Sequence, residues 1–364
     1  MNIIMIPLYS GGYVQYTKDN KVEGNLFCSS KHLFYTSKDT IYRQKISTPG
    51  KETILGKLPS HLALTHSADL RHFIRISADE NWISWPGSVN INIKSLKNSN
   101  SYKITPPSGY RIIHPSAFRP GSDELFYMVH NSSKGELELR FREISKDTDN
   151  FAVSPLGTQV TSVNSFQEFF SPAGDMFAIN IDAVSKKDKK LRRYFIILNR
   201  NSKSVLATNT KWNFEQFHGF TPTGELTFSG KVNGVHGFYR LYMGKNPHVK
   251  LVEPLRGSSV YGYFPGRLSV LFASPFKKCS RPRLESITMW GKHTRLLKWS
   301  HWNEIVTLDR HRVWGLFRGG TVCSNKTAPL YLMRTDGSLL LRELPKVRFW
   351  PLRMAQNSDT TICD

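Results

Sequence analysis

Histidine changes charge near neutral pH and can ligate a metal ion, and glutamate can act as a base. In this chain such groups recur at matching places: His66, His114, Gln167 with Glu168, Glu215 with His218, Tyr261, and His301 with Trp302 and Glu304. Brought to one mouth, they would form a polar pocket for a ligand. The competing reading is a channel mouth that is polar because water fills it. The spacing matches no metal motif, so the metal stays unknown, and no cofactor and no catalytic residue are assigned.

A second constellation is basic. Ser185-Lys-Lys-Asp-Lys-Lys-Leu-Arg-Arg193 carries Lys186, Lys187, Lys189, Lys190, Arg192 and Arg193 around a single aspartate. Phe276-Lys-Lys-Cys-Ser-Arg-Pro-Arg283 carries Lys277, Lys278, Arg281 and Arg283, and Arg318 and Lys326 flank Gly319 and Gly320. A charge run is ordinarily a solvated loop. Several such loops on one face would make a rim for anions. Trp82, Trp85, Trp212 and Trp302 lie in or near loops by the same reading, where an indole stacks on a sugar or base or packs between sheets.

The elements that position these groups are read from a repeat. The clearest copy is Glu168-Phe-Phe-Ser-Pro-Ala-Gly-Asp-Met-Phe-Ala-Ile-Asn-Ile181: strand, turn, strand. Proline fixes φ in that turn and glycine accepts a positive φ. A charged loop, the strand Arg193–Leu198, the turn Asn199–Ser202 and the strand Ser204–Ala207 complete the unit. One anchor per copy gives Ser29, Ser67, Arg119, Ser171, Thr221, Phe264 and Leu308, spaced by 38, 52, 52, 50, 43 and 44 residues. Four-stranded propeller blades repeat every ~40–50 residues.

The expectation is therefore an all-β chain. It would be a single β-propeller of about seven four-stranded blades, six and eight being the other counts the spacing admits. Residues 1–352 would form it, with 1–20 and 346–352 closing the ring and 353–364 a tail. A two-sheet sandwich is the alternative, but it needs no turn recurring at this interval. Long i, i+3, i+4, i+7 apolar spacing, the mark of an amphipathic helix, is missing from the sequence.

Composition narrows the class. Hydrophobic residues at 39% and charged residues at 21% suit a folded chain rather than a disordered one. Lysine and arginine number 50 against 28 aspartates and glutamates, a net charge of +22 that attracts polyanions. Cys28, Cys279, Cys323 and Cys363 are far apart, which argues against a zinc knuckle or a disulfide framework and fits a reducing compartment. No window approaches the ~18 apolar residues of a membrane span. The opening residues lack a basic region and cleavage site, so a cytoplasmic monomer is expected, with export by a signal-free route left open.

The turns Ser171-Pro-Ala-Gly-Asp175, Arg119-Pro-Gly-Ser-Asp123 and Thr221-Pro-Thr-Gly-Glu225 resemble the "SPDG" element of TolB-like propellers, also called WD40-like or PD40 repeats. The chain departs from ordinary WD40 repeats because no copy ends in Trp-Asp at the expected place. The resemblance implies a propeller, commonly with a binding role, in a family that also includes polysaccharide lyases and the propeller halves of peptidases. The sequence holds no Gly-x-Ser-x-Gly elbow, so the peptidase branch lacks its nucleophile here.

Three functions follow. The first is a non-enzymatic scaffold that binds an acidic protein partner, or another polyanion, through the basic loop face. The second is a lyase on an acidic polysaccharide, with a base drawn from the His, Glu and Gln cluster and the rim holding polymer. The third is non-specific nucleic-acid binding through phosphate contacts. Motifs for sequence-specific readout are missing.

Overall fold

The computed structural model describes, with side chains, most of residues 31–260, leaving out 60–72, 202–211 and a few shorter stretches; elsewhere it describes the backbone of strands only. The described residues are all-β, without a helix. They fall into two compact units.

Unit 1 comprises Met1–Arg71 and Leu255–Asp364. It opens with β1 (Ile4–Pro7) and β2 (Val14–Gln15), followed by β3 (Gly24–Cys28), β4 (His32–Ser37), β5 (Thr40–Lys45) and β6 (Glu52–Lys57). Unit 2, His72–Pro254, holds sixteen strands in four sheets. The first has β7 (Arg75–Ile76), β8 (Trp82–Pro86), β9 (Ile91–Ser95) and β10 (Ser101–Ile104). The second has β11 (Arg111–Phe118), β12 (Glu124–Asn131), β13 (Glu136–Glu143) and β14 (Thr148–Val153). The third has β15 (Val160–Phe170), β16 (Met176–Ser185), β17 (Leu191–Asn199) and β18 (Ser204–Thr208). The fourth has β19 (Asn213–Phe220), β20 (Leu226–Val232), β21 (Val235–Tyr242) and β22 (His248–Pro254).

Unit 1 resumes with β23 (Ser259–Phe264), β24 (Ser269–Ala273), β25 (Leu284–Thr288) and β26 (His293–Arg295). Then come β27 (Trp302–Leu308), β28 (Trp314–Gly319), β29 (Leu330–Arg334) and β30 (Leu340–Leu344), with β31 (Arg353–Met354) and β32 (Thr361–Cys363) last. Each sheet of consecutive strands is four-stranded and antiparallel, and one further sheet has the order β2-β1-β32-β31. There β1 meets β32 with Met5 opposite Cys363 and Pro7 opposite Thr361. The segment 346–352, expected to close a ring, lies outside the described residues.

The repeat has a physical cause that unit 2 displays. Its second strands are buried on both faces: every residue of β12 is buried, as are eight of the ten in β16. Such strands read as continuous apolar runs and need a partner on each side. Phe126 and Phe141 of the second sheet pack on Phe177 of the third, with ring centroids 4.5 and 5.3 Å apart. The other face of the third sheet places Phe195 5.1 Å from Phe217 of the fourth. Ile91 and Ile93 of the first sheet join Leu125, Tyr127 and Val129 of the second in another buried cluster. Trp82, Trp85 and Trp212 serve this packing: Trp85 and Trp212 are buried, and Trp82 meets Tyr102 edge-on at 5.8 Å.

The turns between first and second strands are built as their sequences imply. Ser171 Oγ donates to Asp175 Oδ1 at 2.6 Å and accepts the Met176 N–H at 3.0 Å, while Gly174 takes φ +70°. Gly224 holds the matching positive-φ place three residues after Thr221, and after Arg119 the positive φ falls one residue earlier, at Gly121. One anchor needs correction. In the first sheet of unit 2 this turn is Ser77–Asn81, where Ser77 Oγ accepts the Trp82 N–H at 2.9 Å. The tripeptide Ser-Ala-Asp occurs at both 67–69 and 77–79, and the sequence alone does not say which copy stands between paired strands. With Ser77 as anchor the intervals on either side become 48 and 42 residues, more even than 38 and 52.

Candidate functional site

The third sheet of unit 2 ends in the hairpin β16–β17, and its stem is a ladder of polar pairs. Ser165, Asp182 and Arg193 stand opposite one another on β15, β16 and β17. Ser165 Oγ donates to Asp182 Oδ2 at 2.9 Å. Arg193 grips the same carboxylate with two prongs, Nε to Oδ1 at 2.6 Å and Nη2 to Oδ2 at 2.9 Å. Its remaining Nη1 donates to the backbone carbonyl of Glu215 on β19 at 3.0 Å. The ladder thus reaches from one sheet into the next. The Arg193 guanidinium holds the Asp182 carboxyl below the usual carboxylate range, outweighing the opposite effect of burial. The Glu215 side chain in turn meets His236 Nε2 at 2.7 Å.

Above the stem sits the tip. Lys186, Lys187, Lys189 and Lys190 are exposed. Arg192 is paired with Asp188, which lowers the Asp188 carboxyl to about 2. Lys186 Nζ donates to the Lys134 carbonyl at 3.1 Å. Among the described residues, Lys187, Lys189 and Lys190 have no carboxylate within ion-pairing distance. Lys189 stands at φ +57°, a left-handed backbone that favours glycine.

The first strands of these sheets carry a second polar cluster. Arg75 on β7 reaches Glu168 on β15 at 2.7 Å and the Ser116 carbonyl on β11 at 3.2 Å. The hydroxyls of Ser84 and Ser116 meet at 2.8 Å. The Glu168 side chain is only 9% exposed, and burial pushes its carboxyl above the ordinary range despite the opposing pull of Arg75. His218 Nε2 lies 3.1 Å from Ser229 Oγ. The polar groups of these first strands are therefore engaged with neighbouring first and second strands.

Of the residues singled out from sequence, the structure brings Arg193 and Glu215 together and places Gln167 in the open on β15. Glu168 and His218 are held in separate hydrogen-bonded pairs. His114, Tyr261, Trp302 and Glu304 fall on strands whose side chains are outside the described residues, as are His66, His301, Lys277, Lys278, Arg281 and Arg283 altogether. Sequence reasoning did not find Arg75, Asp182 or His236. Asp182 and Arg193 had a usable signal, since each stands three residues outside the Ser185–Lys190 turn and they must face each other if the hairpin is regular.

Chain-level similarity is confined to shape. No family model and no curated protein matches the sequence. A dipeptidyl peptidase 4 from Porphyromonas gingivalis aligns at TM-score 0.63 and 11% identity, over 92% of this chain and 55% of that one. A prolyl endopeptidase aligns at 0.57 and 12%, over 92% and 51%. A eukaryotic initiation factor aligns at 0.56 and 9%, over 95% and 96%. The two peptidases are β-propeller proteins.

The propeller-type repeat is what the likeness shows, and at such identities it shows nothing more. The chain spans about half the length of the two peptidase structures. Among the described residues no helix is long and apolar enough to cross a membrane.

Proposed function

We propose that this chain is a recognition scaffold that binds an acidic protein segment at the β16–β17 hairpin face. The observation that carries the reading is the division of labour in that hairpin. The stem arginines are already matched with Asp182 and Asp188, whereas the tip presents Lys187, Lys189 and Lys190 to solvent. Surplus charge held out on a rigid stem steers and registers an oppositely charged partner. The left-handed Lys189 supports it further, because a lysine there costs roughly 1 kcal/mol that glycine would not. The net charge of +22 has the matching sign. The repeat is taken to be of the TolB-like type, on the strength of the three proline-containing turns, and the scaffold to act without catalysis.

The test is a fluorescence-anisotropy titration with labelled poly-glutamate at low and high salt, comparing the wild type with K187E/K189E/K190E. The expected result is salt-sensitive binding that the charge reversal weakens by about a hundredfold at low salt. Equal affinity of the two proteins would overturn the reading. Tighter binding of an RNA of the same length would transfer it to nucleic acid.

A further inference from the structure

Directly below the lysine tip the sheet surface opens into a pocket of about 410 Å³. Its apolar lining comes from Phe195 and Phe214, whose ring centroids are 5.4 Å apart, and from Leu191. Both phenylalanines are buried, but Leu191 is 59% exposed, one of few large apolar side chains left so open among the described residues. Its place in the chain is informative: it follows Lys190 and precedes Arg192, so lip and tip are one continuous stretch.

The pocket also contains Asp182 and Glu215, yet it is not an acidic site. Arg193 occupies both oxygens of Asp182, and His236 stands on Glu215. Arg192 and Arg193 also line the pocket and equal the two carboxylates in number, so the lining carries no net charge and suits an uncharged group. The tip above them keeps its cationic surplus. The two features select different parts of one ligand.

Resting on the basic-face reading above, we propose that this pocket receives a single apolar side chain of the acidic partner, so that the recognised element is a leucine-like or phenylalanine-like residue flanked by carboxylates. The flanking carboxylates meet Lys187, Lys189 and Lys190, and the anchor covers Leu191. Burying one such side chain supplies the affinity, and the lysines supply register and rate of encounter.

Two capped peptides of alternating aspartate and glutamate test it, one with a central leucine and one with alanine in its place. The wild type binds the leucine peptide roughly tenfold more tightly, the ratio expected when about half of an added isopropyl group is buried in an open pocket. In L191D, and more mildly in L191S, that ratio falls to near one; both changes lie at an exposed position, and circular dichroism checks that the fold persists. Equal affinities of the wild type for the two peptides would overturn the pocket assignment while leaving the basic-face reading in place. Binding of neither peptide would overturn both.

Discussion

The hairpins β12–β13 and β16–β17 occupy equivalent positions in adjacent sheets and close with the same backbone bond. In the first, the Gly135 N–H donates to the Asn131 carbonyl at 2.8 Å; in the second, the Lys189 N–H donates to the Ser185 carbonyl at 3.0 Å. Both donor residues are left-handed, at φ +73° and +57°. The first tip satisfies itself, with Asn131 Oδ1 accepting from Ser133 Oγ at 2.7 Å and from the Lys134 N–H at 3.1 Å. The second fills the same turn with lysines. One backbone design thus supports two surfaces, and the choice of side chains, not the frame, separates a plain turn from a candidate binding tip.

That comparison presumes a common frame, and the largest expected effect comes from removing it. Arg200, after β17, reaches Glu124 on β12 at 2.6 and 3.0 Å, with 3% and 5% of the two side chains exposed. Its guanidinium also lies 4.2 Å from the centre of the Phe141 ring. Arg200→Ala takes the bidentate partner from the buried Glu124 carboxylate, leaving it the more distant Arg119 at 3.8 Å and Asn150 at 3.4 Å, and should cost about 3 kcal/mol in urea unfolding. A loss below about 1 kcal/mol would mean the two sheets do not depend on this pair.

Moving the lysines tests the comparison from the other side. Ser132→Lys and Ser133→Lys, introduced into K187E/K189E/K190E, should recover less than about a tenth of the lost affinity for the leucine-centred acidic peptide, since the pocket that takes its apolar residue lies beside Leu191 at the second tip. Full recovery would show that charge alone suffices wherever it is placed.

His130 sharpens the comparison through pH. It is fully buried at the end of β12 and donates from Nε2 to the Val160 carbonyl at 3.1 Å. Burial lowers its affinity for a proton. The unfolded chain therefore takes up a proton at the ordinary histidine value, while the folded chain does so only at lower pH. Its contribution to stability is complete above that ordinary value and is lost as pH falls from there toward the folded value. Urea midpoints measured between about pH 7 and about pH 5 should drop in the wild type and drop less in His130→Gln. Identical slopes would remove His130 from the account.

The smallest effect concerns strain. Lys189→Gly should raise stability by about 1 kcal/mol while weakening anion binding. A fall in thermal midpoint would show that the lysine side chain stabilises the turn instead.

The repeat was legible because it is written in turn chemistry. Ser171, Gly174 and Asp175 each do locally what their types allow, and no distant contact is needed to read them. The second strands were legible for a related reason, since a strand buried on both faces is apolar along most of its length, as Leu125–Val129 is and Met176–Ile181 nearly is. The first sheet of unit 2 was harder. Two identical Ser-Ala-Asp tripeptides compete there, and the choice rests on pairing with β8 that only coordinates reveal. The site was half legible. Lysines cluster in sequence, so the tip stood out, but Phe195, Phe214 and His236 belong to it through register across three strands and into a neighbouring sheet. Glu168 was visible as a titratable group, yet its ion pair with Arg75 joins residues 93 positions apart.

The stem beneath the lysines has a practical consequence. Strands β16 and β17 remain in register from Met176–Asn199 to Val184–Leu191, and Arg193 fastens them onward to β19. Trypsin cuts after lysine, and among the described residues the exposed tip is where it should strike first. A molecule nicked there would still run as one particle on a native gel and come apart only in denaturant, which makes the tip a natural place to split the gene into two complementing fragments.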